Sequence, residues 1–323
     1  MNLLEAKPGI TMLFVGPTDF FEELQNTVPK SWKVVCVNSL KEFLSSPVSI
    51  NIILDSSIRE IIDLNLKEFS GVTIIACAST GTNHIKLPDV DSNLITIYSL
   101  RDIPETIKKL TSAAEFSFGL LIALAKKLIP STNAVNSGSW VRTEFPGVVL
   151  KEKKLGLIGF GRIGSTMAGF AKSFGMEVGF YDPNIFDKPE GIFQYDSIEN
   201  LVINSDFISI HVPYSIELNK KPFITSSMFS LFKPGSYFIN TSRGELIDEE
   251  GLIAAVDSGR ISGAALDVLV GEPDISSNLI YAFAKKSRAN IIFTPHIAGY
   301  SIENVKIATM GMLIHLIDQN IRT

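Results

Sequence analysis

"KKLGLIGFGRIGSTMAGFAKSFGMEVGFYDPN", residues 153–184, decides the fold. Its apolar run from Leu155 to Phe160 reads as a strand. Gly159, Gly161 and Gly164 form G-x-G-x-x-G, and a helix is expected from Arg162 to Phe174. A second strand ends in Asp182, eighteen residues beyond Gly164. Each part has a job in holding a dinucleotide. Gly159 permits the tight turn, Gly161 lets a pyrophosphate reach the backbone, and Gly164 lets helix and strand pack closely. The helix N-terminus offers unpaired N–H groups and a partial positive charge to the phosphates. Asp182 is placed to accept hydrogen bonds from ribose hydroxyls and to repel a 2′-phosphate. "DPN" supplies no Arg or Lys to reverse that, so NAD is expected rather than NADP. The competing reading is a glycine-rich turn in an ordinary sheet, and the strand, helix and acid at these distances weigh against it.

Working outward, the same alternation of strands and helices recurs on both sides. Before the loop, "TMLFVG", "WKVVCV", "NIILD", "VTIIACAS" and "LITIYS" read as strands rich in Val, Ile and Thr. Helical patterns such as "SLKEFLSS" and "REIIDLNLKEF" lie between them. After the loop come "FISIHV", "SYFINTS", "ISGAALDV" and "NIIFTPH", and "IENVKIATMGMLIHLIDQNI" reads as a closing helix. This alternation implies α/β architecture with parallel sheets covered on both faces. One long helix is expected from Pro104 to about Leu128, ended by Pro130. Its second half is apolar almost all round, so it should be covered by another domain or subunit.

A chain of 323 residues has room for two domains. Hydrophobic residues at 46% and charged residues at 20% fit a globular protein with a large core. A net charge of −5 argues against a nucleic-acid partner. The most lipid-like run, "FSFGLLIALA", is about half the roughly 20 residues of a membrane span. "MNLLEAKPGI" does not read as a signal peptide, so a cytoplasmic protein is expected. Cys36 and Cys77 lie in strand-like runs without histidines at ligand spacing, and no metal site is expected.

Ligands of an open parallel sheet bind beyond the carboxyl ends of its strands. His211, Val212 and Pro213 follow "FISI"; Thr241, Ser242 and Arg243 follow "YFIN"; Asp267 follows "GAAL", with Glu272 shortly after; and His296 follows "NIIFTP". Hydride transfer to a 2-keto acid needs such a set. A guanidinium holds the carboxylate and keto oxygen, an imidazolium gives the proton, and a carboxylate keeps the imidazole charged and oriented. Arg243, His296 and Glu272 suit these roles in that order. Taken singly, each also reads as a surface or structural residue, and only their common rim favours catalysis. His211 reads as a wall residue on the adenine side, His315 as structural, and His84 as a loop residue.

The chain resembles the D-isomer-specific 2-hydroxyacid dehydrogenase family. The likeness runs from "IIACASTGTNHI" through the glycine loop, "HVP", "NTSRGELIDEE", "ALDV" and "GEP" to "TPHIAGYS", all in family order. The resemblance implies that Arg243, Glu272 and His296 are catalytic. It also implies that Arg162, Ile163, Asp182, His211, Val212, Pro213, Thr241, Ser242 and Asp267 join the three glycines in the cofactor site. Asp267 is then expected near the nicotinamide carboxamide. Ser79, Thr80 and Gly81 in "STGTN" are implied to give backbone N–H groups to the substrate carboxylate, beside Arg243 and His296. The implied fold is a Rossmann NAD-binding domain, residues 104–298, inserted in a flavodoxin-like substrate domain of residues 1–103 and 299–323, with the active site in the cleft between them. A homodimer through the long helix is implied as well. Two departures are Lys86, where the family usually has an acid, and Phe116, where it usually has His. No regulatory domain of the kind some phosphoglycerate dehydrogenases append is expected. The remaining alternatives are a non-catalytic NAD(H)-sensing protein like the family's corepressors and a phosphite-type dehydrogenase. Formate enzymes of the family usually carry Gln at the place of Glu272. Arg59 or Arg101 could hold a substrate phosphate, but the favoured reading of both is a surface arginine.

Overall fold

The computed structural model describes residues 9–56, 60–82, 84–87, 94–187, 189–214, 221–287 and 289–319; Arg59 and Asn83 lie outside them. The chain forms two units. One runs up to Leu110 and resumes at Tyr300, and the other is Thr111–Gly299.

In the first unit the strands are β1 (Thr11–Val15), β2 (Lys33–Val37), β3 (Ile52–Asp55), β4 (Ile62–Asp63), β5 (Ile74–Cys77), β6 (Ile85–Lys86) and β7 (Thr96–Tyr98). Five make a sheet in the order β2-β1-β3-β5-β7, with parallel pairing throughout. The alternation of "TMLFV" explains its two cores, because successive side chains leave a strand on opposite faces. Met12 and Phe14 join a cluster with Val305, Met312, Leu313 and Leu316 of the helix Ile302–Asp318. Leu13 and Val15 join Phe43, Phe69 and Ile75 on the other face.

In the second unit the strands are β8 (Lys154–Ile158), β9 (Glu177–Tyr181), β10 (Phe193–Gln194), β11 (Phe207–Ile210), β12 (Ser236–Asn240), β13 (Ile261–Leu266) and β14 (Ile291–Phe293). They form one parallel sheet in the order β10-β9-β8-β11-β12-β13-β14. The order reverses at β8, so the crevice between the ends of β8 and β11 is where such a sheet takes a ligand. Leu155, Leu157 and Phe207 pack on one face against Phe118, Leu121 and Met167. Ile158, Ile208 and Ile210 pack on the other against Leu201, Leu246 and Leu252.

Two expected helices differ. The stretch from Pro104 is three helices, Pro104–Ile107, Ser112–Ala125 and Leu128–Asn136. Leu110 is buried in the first unit's core while Phe118 and Leu121 belong to the second's, so the chain passes from one unit to the other between them. Lys127 has φ +51, which breaks the second helix from the third. Pro130 then lies in a first helical turn, where a missing N–H costs nothing, and does not end a helix. "REIIDLNLKEF" is also not a helix over its described residues: it gives β4 and a 3-10 turn, Lys67–Phe69. Ile62 and Leu64 donate to the carbonyls of His84 and Lys86, so pairing with β6 wins over helical propensity.

Candidate active site

The glycine loop leaves β8 and enters the helix Arg162–Ser173. Gly159 has φ +91, and a Cβ there would stand 2.5 Å from the His211 carbonyl oxygen. A Cβ on Gly164 would stand 2.3 Å from the Gly159 oxygen. These two glycines are therefore needed by the fold itself. A Cβ on Gly161 would meet nothing within 4 Å, so the loop keeps open space above that residue. Gly161 is also the helix N-cap and makes no side-chain hydrogen bond to the first turn. Open space and uncapped N–H groups together fit a pyrophosphate.

Asp182 follows β9 and ties this loop down. Its Oδ2 accepts from the Phe160 N–H at 2.9 Å and its Oδ1 from the Asn184 N–H at 2.9 Å. Each carboxylate oxygen has a second acceptor site for a ribose hydroxyl. Burial lowers the Arg162 guanidinium from its ordinary pKa. Ile163 sits half-buried in the first helical turn. Val212 packs against the core beside β11, within 3.1 Å of where a Gly159 Cβ would be, and Pro213 is exposed. His211 is part of the loop's support. Its Nε2 lies 2.9 Å from the Ser209 hydroxyl and 3.3 Å from Met167 Sδ, and its buried Nδ1 has no partner among the described residues. Burial pushes its pKa down to about 4, so the ring stays neutral and cannot serve as an acid near neutral pH.

The proton-transfer candidates stand at the ends of three adjacent strands, β12, β13 and β14. His296 Nδ1 lies 2.5 Å from Glu272 Oε1, with side chains 13% and 31% exposed, so both remain in reach of a ligand. His296 has φ +56, an unusual conformation for a residue with a side chain. It is held there by its own N–H, which donates to the Asp267 carbonyl at 2.8 Å and the Thr294 carbonyl at 3.0 Å. The Asp267 carboxylate fixes the rest of the turn. It accepts from the Thr294 hydroxyl at 2.6 Å, the Ile297 N–H at 2.9 Å and the Ala298 N–H at 2.8 Å. Burial raises the Asp267 pKa even so, while those bonds and the nearby His296 oppose the rise. Both Asp267 oxygens thus seat the histidine loop.

Arg243 starts the 3-10 turn Gly244–Leu246, and its Nη1 donates to the Ser242 carbonyl at 2.7 Å. A Cβ on the next residue, Gly244, would lie 2.3 Å from the Leu269 carbonyl carbon, so this turn packs directly on the segment leading to Glu272. The hydroxyls of Thr241 and Ser242 are engaged within the protein. Thr241 bonds Ser117 at 2.8 Å and Ser242 donates to the Ile210 carbonyl at 2.9 Å.

Several supporting residues escaped the sequence reading. Asn240 is fully buried, donates to the Arg243 carbonyl and accepts from the Ser242 N–H, which shapes the arginine turn. An Asn at a strand end followed by "TSRG" is a recognisable turn signal. Asn278 caps its helix and donates to the Val270 carbonyl, and Ser112 donates to the Ala298 carbonyl. Nothing in the sequence marks those two. In the first unit, Ser79 to Gly81 follow β5; Ser79 Oγ donates to the Gly81 carbonyl at 2.7 Å and closes a tight turn.

Comparison with known proteins places the chain in a family. Residues 118–298 match the family described as D-isomer specific 2-hydroxyacid dehydrogenase, NAD binding domain. A glyoxylate reductase of Thermococcus litoralis is 36% identical over 242 residues, 71% of this chain and 68% of that protein. A D-3-phosphoglycerate dehydrogenase of a Synechocystis strain is 34% identical over 241 residues, 74% of this chain but 41% of the relative's length. The crystal structure of an Aquifex aeolicus D-lactate dehydrogenase complexed with NAD and lactic acid superposes with a TM-score of 0.71 at 26% identity, covering 96% of this chain and 95% of that one.

Proposed function

This chain belongs to the D-isomer specific 2-hydroxyacid dehydrogenase family and carries its NAD-binding domain, and we propose that it interconverts a small D-2-hydroxy acid and the matching 2-keto acid with NAD as cofactor. The observation that carries the proposal is the His296–Glu272 contact, on the same sheet edge that holds an open glycine loop.

Gly159 to Gly164 would hold the cofactor's pyrophosphate and Asp182 its ribose, and the bound reduced cofactor supplies the hydride. The protein supplies the rest. Glu272 engages Nδ1 of His296 and orients the ring, which leaves Nε2 as the nitrogen that passes a proton to the keto oxygen. Arg243 holds the substrate carboxylate and the oxygen on which charge develops. In oxidation His296 takes the hydroxyl proton back. Ser79, Thr80 and Gly81 are assigned to the substrate carboxylate on the family likeness. The same likeness supports a homodimer, as do the exposed apolar side chains Leu128, Ile129, Val135 and Trp140 on and just beyond the helix Leu128–Asn136. Light scattering in solution tests that state. Free Cys36 and Cys77 fit a reducing cytoplasm.

The test is a spectrophotometric screen of NADH oxidation with glyoxylate, pyruvate, hydroxypyruvate and 3-phosphohydroxypyruvate. Turnover of at least one is expected, with NADPH used less well. Tight NADH binding without turnover of any would replace the enzyme with a cofactor-sensing protein.

A further inference from the structure

The carboxyl edge of the five-stranded sheet carries a second cluster of chemically active side chains. Asp55 ends β3 and Cys77 ends β5; the strands are neighbours, and these two residues are register partners. His84, seven residues beyond Cys77, turns back onto them. Its Nε2 is 3.0 Å from Asp55 Oδ2 and 4.0 Å from Cys77 Sγ. One carboxylate oxygen, the sulfur and the ring nitrogen all lie within 4.8 Å of one another. Asp55 and Cys77 are buried, and the His84 side chain is 12% exposed. The His84 carbonyl accepts from the Ile62 N–H at 2.9 Å, which fixes its backbone.

A Cys-His-Asp relay would place the thiol on one ring nitrogen and the carboxylate on the other. Here both face Nε2, so a relay cannot form. Three donors converging on one point is instead the arrangement of a metal site. We propose that Asp55, Cys77 and His84 bind one divalent cation of the zinc class, with a fourth position left to water. Carboxylate, thiolate and imidazole are the protein ligands zinc prefers, and a thiolate disfavours calcium and magnesium. Ligands about 2.0–2.3 Å from a tetrahedral centre stand roughly 3.3–3.8 Å apart. The separations from Nε2, 3.0 and 4.0 Å, bracket that range; the carboxylate oxygen and the sulfur, within 4.8 Å of each other, have to close by up to about 1 Å around the ion.

Charge also favours a divalent ion. A carboxylate and a thiolate together carry two negative charges, and one such cation makes the buried cluster neutral. A sulfur ligand calls for a thiophilic cation. The bound ion would pin the turn Ser79–Thr82, which lies between two of its ligands. Sequence spacing hid the cluster because Asp55 arrives through sheet register.

The experiment loads the full chain, stripped with chelator, with Co²⁺ and, separately, Zn²⁺. Expected are one zinc per chain, a thiolate-to-cobalt charge-transfer absorption, and its persistence in Cys36→Ser. Cys77→Ser should abolish the band, and His84→Ala should weaken cobalt binding at least about tenfold. Absence of the band in the folded wild-type chain overturns the proposal. So does a band lost in Cys36→Ser, or one that survives Cys77→Ser. A spectrum of nitrogen and oxygen ligands alone, as binding at His296 and Glu272 would give, overturns it too. If Cys77→Ser does not fold, the wild-type and Cys36→Ser spectra still decide.

Discussion

At the carboxyl edge of the seven-stranded sheet, buried polar residues stand behind partly exposed ones. Asn240 and Asp267 are 0% and 1% exposed, and they seat Arg243 and His296, which keep access to a ligand. At the same edge of the five-stranded sheet, the chemically active atoms of Asp55 and Cys77 are themselves buried. A group that exchanges protons with substrate needs an open face and a rigid back. A group that closes around an ion can be sealed. Two parallel sheets of similar construction thus differ in how far they bury the polar residues at their carboxyl edges, and that difference suits the two proposed chemistries.

The change that would hurt the open rim most is His296→Ala. Turnover should fall about 10²- to 10⁴-fold, roughly 3–5 kcal/mol in barrier height. NADH affinity, followed by fluorescence titration, should hold within about twofold, since the glycine loop is untouched. Undiminished turnover would remove His296 from the chemistry.

His211 provides the next effect, and it acts on stability. Its pKa in the fold is about 4 against about 6.5 in an unfolded chain. Between these values the unfolded state binds more protons, so stability is full above pH 6.5 and is lost as pH falls toward 4. The loss by pH 4.5 is about 2–3 kcal/mol. His211→Gln should be less stable than wild type at pH 7, with a deficit that shrinks by that amount at pH 4.5 in urea unfolding. A constant deficit would mean the imidazole is not sealed behind the glycine loop.

What the sequence made legible follows the same contrast. The glycine loop was readable because sterics demand two of its glycines, Gly159 and Gly164, which have no room for a Cβ, while Gly161 keeps its space open. Strand ends and family motifs are what single out Arg243, Glu272 and His296 as the proposed trio. Asn240, Ser117 and Asn278 were not, because an ordinary polar residue gains its role only when the fold brings it a partner. The Asp55–Cys77 pairing depends on register between strands some twenty residues apart, which no local pattern encodes. "REIIDLNLKEF" misled because its apolar spacing fits a helix while Ile62 and Leu64 find strand partners.

Asp267→Asn tests whether the rigid back matters. An amide offers one acceptor oxygen where the carboxylate offers two, so either Ala298 or the Thr294–Ile297 pair loses its acceptor. Stability should fall by about 1–3 kcal/mol. Turnover should fall with it as the His296 loop loosens, while NADH affinity changes less. If affinity falls as far as turnover, Asp267 faces the cofactor as first expected.

The smallest effect belongs to Asp182→Ala. The residue is half-buried and has two tasks, bonding the glycine loop and discriminating between cofactors. Removing it should weaken NADH binding about tenfold, close to 1.4 kcal/mol, through lost ribose bonds. It should narrow the preference for NADH over NADPH, because the charge that repels a 2′-phosphate is gone. These tasks separate in Asp182→Asn, which can still accept a bond from Phe160 but carries no charge. If that variant keeps NADH affinity and gains NADPH, repulsion sets the choice of cofactor. If it keeps both affinities unchanged, the choice lies in the shape of the loop, and the carboxylate serves the fold of the glycine loop as Asp267 serves that of the histidine loop.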